Sequence, residues 1–93
     1  MDSIRNPIIA FREQYGISQR ELAQILGVSI ASVKGWEVGD FEPREESLIN
    51  ALPLGLIPNK TVEAWRAWRK ALGDSQLKHL VANGNGGERL PGI

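Results

Sequence analysis

Apolar side chains in this 93-residue chain recur at helical spacing, and no run alternates as a strand would. Asn6-Pro7 opens a first helix, since Asn is a strong N-cap and Pro suits the first helical position. Ile8, Ile9, Phe11 and Tyr15 lie on it, and Gly16 is placed to end it. A second helix starts at Ser18 and Glu21, an S-x-x-E capping box, with Ile17 and Leu22 as the hydrophobic staple. Leu22, Ala23, Ile25 and Leu26 give its apolar face, and Gly27 stops it. A third helix follows the cap-like Ser29 through Ile30, Val33 and Trp36 and ends by Gly39. Pro43 opens a fourth, with Leu48, Ile49 and Leu52 apolar, and Pro53 marks its end. Residues 53–60 form a connector whose Leu54, Leu56 and Ile57 are expected to pack. Thr61 caps a fifth helix to about Leu72, with Val62, Trp65, Trp68 and Leu72 along one face and Gly73 as its stop. Residues 75–82 add a short extra helix, and the Gly-rich residues 83–93 form a mobile tail. The expected fold is all-α: a compact bundle of about five helices over residues 1–82, its C-terminal helical extension included, followed by the tail.

The stretch Gln19 to Val38 carries the most information. Two short helices are joined by a three-residue turn around a glycine. A steep crossing at so short a turn needs a small residue facing the partner helix, which is Ala23, and a turn residue free to take positive φ, which is Gly27. Apolar contacts must lie on both sides, and Leu22 and Leu26 face Val28, Val33 and Trp36. This is the spacing of a helix-turn-helix, whose second helix can enter a DNA major groove.

Composition leaves that reading open without adding to it. Eleven basic side chains balance eleven acidic ones, so net charge gives no support for nucleic-acid binding. The charges are segregated, however. Asp40, Glu42, Glu45 and Glu46 surround Arg44, whereas Lys60, Arg66, Arg69, Lys70 and Lys78 outnumber Glu63 and Asp74 further on. The chain has no cysteine, which excludes a disulfide scaffold and a thiolate metal site. No signal pattern opens the chain, and the longest apolar stretch, Ala51 to Ile57, is broken by Pro53 and Gly55. A soluble cytoplasmic protein, with no membrane partner and no cofactor, is expected.

The segment SQRELAQILGVSIASVKGWEVG resembles the helix-turn-helix of the Cro/repressor (XRE-type) DNA-binding family, through Gln19, Leu22, Ala23, Gly27, Val28, Val33, Trp36, Glu37 and Gly39 together. The resemblance covers roughly residues 6–52 and implies a bacterial or phage origin. It implies that Gln19 hydrogen-bonds a phosphate and that Arg20 lies near the same backbone. It implies that Ser29, Ile30, Ala31, Ser32, Lys34 and Gly35 occupy the recognition helix, about residues 29–38. Arg44 would approach a phosphate or the adjacent minor groove. Arg12 and Glu37 fall where the family often has an ion pair. The chain departs from the family at its groove-facing positions, where Ile30, Ala31 and Gly35 stand in place of long donors. Lys34 is the only long donor among them, so direct hydrogen-bond readout of bases is expected to be thin.

Other residues read more plainly as structural. Trp36 is expected in the core between the first and third helices. Trp65 and Trp68 are expected to be a packing face, on the domain's own core or on a second subunit; with Leu72 they are the candidate interface of a homodimer. The basic side chains of residues 60–78 are expected to be a solvated face, and His79 a surface residue. No phosphate-binding glycine loop, nucleophile elbow, H-E-x-x-H or Cys/His pair is present, so the chain is not read as an enzyme and has no candidate catalytic or metal-binding residue. The expected function is a sequence-specific DNA-binding transcriptional regulator, of the small repressor or phage-regulator kind, with double-stranded DNA as partner. The alternative is a protein-interaction module, antitoxin-like or regulator-binding, that works through the Trp65/Trp68 helix.

Overall fold

A computed structural model describes residues 4–83, with side chains described to residue 73. The chain folds into α1 (Pro7–Tyr15), α2 (Gln19–Leu26), α3 (Ile30–Val38), α4 (Glu45–Leu48), a 3-10 segment (Ile49–Leu54) and α5 (Pro58–Asn83). Among the described residues there is no strand, so the fold is all-α as expected. The mobile tail expected at residues 83–93 lies outside the described residues from 84 onward, as do the side chains of Lys78 and His79.

The first three helices follow their caps. Asn6 Oδ1 accepts from the backbone N–H groups of Ile8 and Ile9. Ser18 and Glu21 form the reciprocal capping box, and Ser29 accepts from Ser32 N–H. At the turn between α2 and α3, Gly27 stands at φ 71°, a left-handed conformation that costs a side-chain-bearing residue about 1 kcal/mol or more. There the N–H of Val28 donates to Ala23 O at 3.0 Å, closing the helix end.

Two expectations are corrected. Pro53 does not end the fourth helix: α4 is a single turn, and Pro53 lies inside the 3-10 segment that continues it. A proline ring clashes with the carbonyl four residues back in an α-helix, and tightening to 3-10 geometry avoids the conflict. Nor does Gly73 end the fifth helix. One helix runs from Pro58 to Asn83, absorbing the expected sixth, and it starts at Pro58 rather than at a Thr61 cap. A glycine inside a helix costs only about 1 kcal/mol, which the flanking turns outweigh.

The core is one cluster. Ile8 and Phe11 of α1, Leu22, Ala23 and Leu26 of α2, and Val33 and Trp36 of α3 meet Leu48, Ala51 and Leu56. Val62 and Trp65 of α5 close it. Trp36 is buried, as the sequence suggested. No described helix is long and apolar enough to cross a membrane.

Candidate nucleic-acid interface

Helix α3 is held from behind and at its C-terminal end. Its buried face carries Val33, Trp36 and Glu37. The last carbonyls of a helix have no partner within it, and here three side chains from other elements supply donors. Asn6 Nδ2 donates to Trp36 O at 3.0 Å and Glu37 O at 3.2 Å. Trp65 Nε1 donates to Trp36 O at 2.7 Å, and Arg69 Nε to Gly39 O at 2.8 Å. Gly39, at φ 93°, makes the approach of α5 possible, because a Cβ there would stand 3.0 Å from Arg69 Cδ and 3.4 Å from the Trp68 ring.

A second tie fixes α3 against α1 and α2. Glu37 is buried, and Arg12 reaches it with two donors, Nε at 2.6 Å and Nη2 at 2.9 Å. Gln19 Nε2 adds a third at 2.9 Å, and Arg12 Nη1 donates to Ile17 O. The hydrogen bonds to Glu37 hold the Arg12 guanidinium above its ordinary pKa. The expected Arg12–Glu37 pair is thus present. Gln19 serves it as well, spending one amide N–H on the carboxylate rather than presenting both outward.

The outward stripe of α3 is formed by Ala31, Lys34 and Val38, all exposed and spaced three and four residues apart. Ser29 is exposed at the N-cap and shares a 3.0 Å contact with the Ser32 hydroxyl. Ile30 is half-buried against the core, so it offers less surface than expected. Gly35, expected to face the groove, is buried instead. The chain beyond α3 folds back, and Gly39, Asp40 and Phe41 all direct their N–H groups at Gly35 O. The Phe41 ring then lies over Gly35 so closely that a Cβ would stand 2.0 Å from Phe41 Cδ2. Phe41 is itself 55 % exposed, and Val38 61 %. Sequence reasoning missed both residues. The available signal was a glycine within a helix facing an aromatic six residues on, because a missing side chain invites a neighbour to close over it.

Arg20 and Arg44 are exposed; among the described residues Arg20 and Lys34 make no ion pair, while Arg44 lies 4.0 Å from Glu46. The acidic cluster is partly neutralised. Glu42 Oε2 accepts from Arg66 Nη2 at 2.6 Å and Nε at 2.9 Å, which raises the Arg66 pKa. Glu45 and Glu46 sit in the first turn of α4, where the helix dipole favours negative charge. Trp65 is 4 % exposed and Trp68 packs on the core, so the expectation of Trp65 in a subunit interface is corrected: its partner is α3 of the same chain. Leu72 is half-buried. A shallow groove lies between α1 and the start of α5, near Ala10, Leu56 and Thr61, and none of its lining residues comes from α2 or α3. Among the described residues no group of His, Cys, Asp and Glu could hold a metal ion.

Comparison with known families matches residues 8–51 to the family described as helix-turn-helix. Comparisons with curated proteins and with solved structures gave no match. The match spans α1 to the 3-10 segment and takes in the turn at Gly27 and the stripe on α3. Residues 8–51 are thus a helix-turn-helix domain of the Cro/repressor (XRE-type) DNA-binding kind.

Proposed function

We propose that this protein is a sequence-specific transcriptional regulator, of the small repressor or phage-regulator kind, that occupies its operator by placing α3 in the major groove. The observation that carries the reading is the outward stripe of α3, with Lys34 at its centre, on a helix whose back and C-terminal end are fixed by Trp65, Asn6, Arg69 and Arg12. A rigidly held helix can present side chains to base edges without a further ordering cost. In this reading Lys34, Arg20 and Arg44 meet phosphates, with Gln19 and the Ser29/Ser32 hydroxyls near the backbone, and Ala31 and Ile30 touch bases. Phosphate contacts position the protein, and base contacts specify the site.

Two copies on a two-fold operator would double the DNA contacts. With Trp65 buried within the chain, Trp68 and Leu72 are what the tryptophan-bearing helix offers a second subunit. An interaction module on the same fold would likewise have to work through Trp68 and Leu72 rather than Trp65.

The test is fluorescence-anisotropy binding to random duplex DNA across a salt series. Salt-sensitive binding is expected, with the log–log slope reduced by about 0.9 in each of Lys34→Ala and Arg20→Ala. Unchanged slopes would remove those phosphate roles, and no binding at low salt would remove the regulator reading.

A further inference from the structure

The exposed part of the recognition surface is mostly apolar. Ala31, Val38 and Phe41 flank Lys34, and the position where a groove-reading helix could carry a long donor is Gly35, covered by the Phe41 ring. Phe41 is placed there by construction: its N–H points at Gly35 O, and the ring occupies space that any side chain at 35 would fill. More than half of its surface nevertheless faces solvent. Phe41 and Val38 both leave apolar surface open at the C-terminal end of α3, the kind of surface that marks an interaction site where it is contiguous. Lys34 within the same stripe and Arg20 exposed on the adjoining helix favour a polyanion as the occupant, with Glu42 beside Phe41 neutralised by Arg66 and Asp40 left as the opposing charge beside it. The major-groove feature of a DNA duplex that matches an apolar side chain is the 5-methyl group of thymine.

We propose that Phe41 and Val38, with Ala31, are specificity-determining residues that read thymine methyl groups in the major groove. Selectivity then comes from apolar contact, and hydrogen bonding to base edges contributes little. Phe41 does from the segment after α3 what a side chain at position 35 would otherwise do from within the helix. The inference rests on the DNA-reading function proposed above and names the base chemistry of that same surface.

The experiment uses the full chain and duplex sites enriched from a random pool. Each site is then remade with uracil for thymine, which removes the methyl and keeps the phosphates and the pairing edges. Binding of the wild-type protein should weaken by about fourfold per methyl contacted, the value of one buried methyl-sized group. In Phe41→Ala and Val38→Ser the thymine-to-uracil ratio should fall towards one, while the salt dependence is unchanged. Both residues are exposed, and circular dichroism of each variant verifies folding. Equal wild-type affinity for thymine and uracil duplexes, with salt-sensitive binding intact, overturns this inference and leaves the regulator reading standing. An undiminished ratio in both variants removes Phe41 and Val38 from the role. Absence of binding to every duplex at low salt defeats the regulator reading, and this inference with it.

Discussion

The indole N–H of Trp65 donates to the carbonyl of Trp36 at 2.7 Å, joining the helix outside the family match to the C-terminal end of α3. That carbonyl belongs to the last turn of α3 and also receives Asn6 Nδ2. The orientation of the outward stripe therefore depends on α5, which the helix-turn-helix segment itself does not contain.

Trp65→Ala should destabilise the fold by about 3–5 kcal/mol, the usual cost of truncating a buried aromatic. Trp65→Phe keeps most of the packing and loses the donor, while Asn6 still serves the carbonyl. Its cost in urea unfolding should be nearer 1 kcal/mol, the net value of one hydrogen bond. Equal costs for the two variants would show that the indole donor, which both lose, outweighs packing at this contact.

Arg12 and Glu37 should be strongly coupled. Removing Arg12 leaves a buried carboxylate with Gln19 as its one remaining side-chain donor among the described residues, and Arg12→Met should cost about 3 kcal/mol. Replacing both by Met removes the buried charge as well, so the double variant should be less destabilised than the sum of the single ones. Additive losses in the denaturation cycle would contradict the coupling. Because the Arg12 pKa is raised, its contribution is fully present below the unfolded-state value and is lost only as pH rises through the folded one. Both lie in strongly alkaline solution, so the guanidinium should add no pH dependence to stability between about pH 5 and 9.

Gly39 and Gly35 should respond differently to alanine. Gly39→Ala forces a side chain into left-handed backbone and pushes on Arg69, so it should cost more than about 1–2 kcal/mol. Gly35→Ala gains up to about 1 kcal/mol of helix propensity and displaces only the exposed Phe41 ring. Its stability should change little, while its preference among DNA sequences shifts in the same direction as in Phe41→Ala. Parallel unfolding and binding measurements on the two variants check this.

Arg66 should matter to DNA binding without touching DNA. It pairs with Glu42, next in sequence to Phe41. Arg66→Ala leaves that carboxylate uncompensated near the proposed phosphate path, so affinity should fall, most of all at low salt. Glu42→Gln in the same background should restore it. Failure of that restoration would place the role of Arg66 elsewhere.

Local signals in the sequence determined α1 to α3. The Asn6, Ser18 and Ser29 caps and the turn glycine Gly27 act within a few residues, and each element formed where its own chemistry placed it. The same locality explains the helix-turn-helix resemblance; the Arg12–Glu37 pair, whose partners lie far apart in sequence, was expected only through that resemblance. The signals at Pro53 and Gly73 were local too, but weak. Each biases the backbone by an amount that packing or a change of helix type absorbs.

Only the tertiary structure decided which faces were left for a partner. Trp65 and Trp68 read equally as core or interface because periodicity marks an apolar face without naming what covers it. The answer depends on α5 meeting α3 about thirty residues away, through Trp36 O and Gly39 O. Phe41 was invisible for the same reason, since its place over Gly35 follows from how the chain leaves α3. The sequence by itself determined that there is a helix-turn-helix and where its second helix begins; the packing of the whole chain decided which side chains that helix shows.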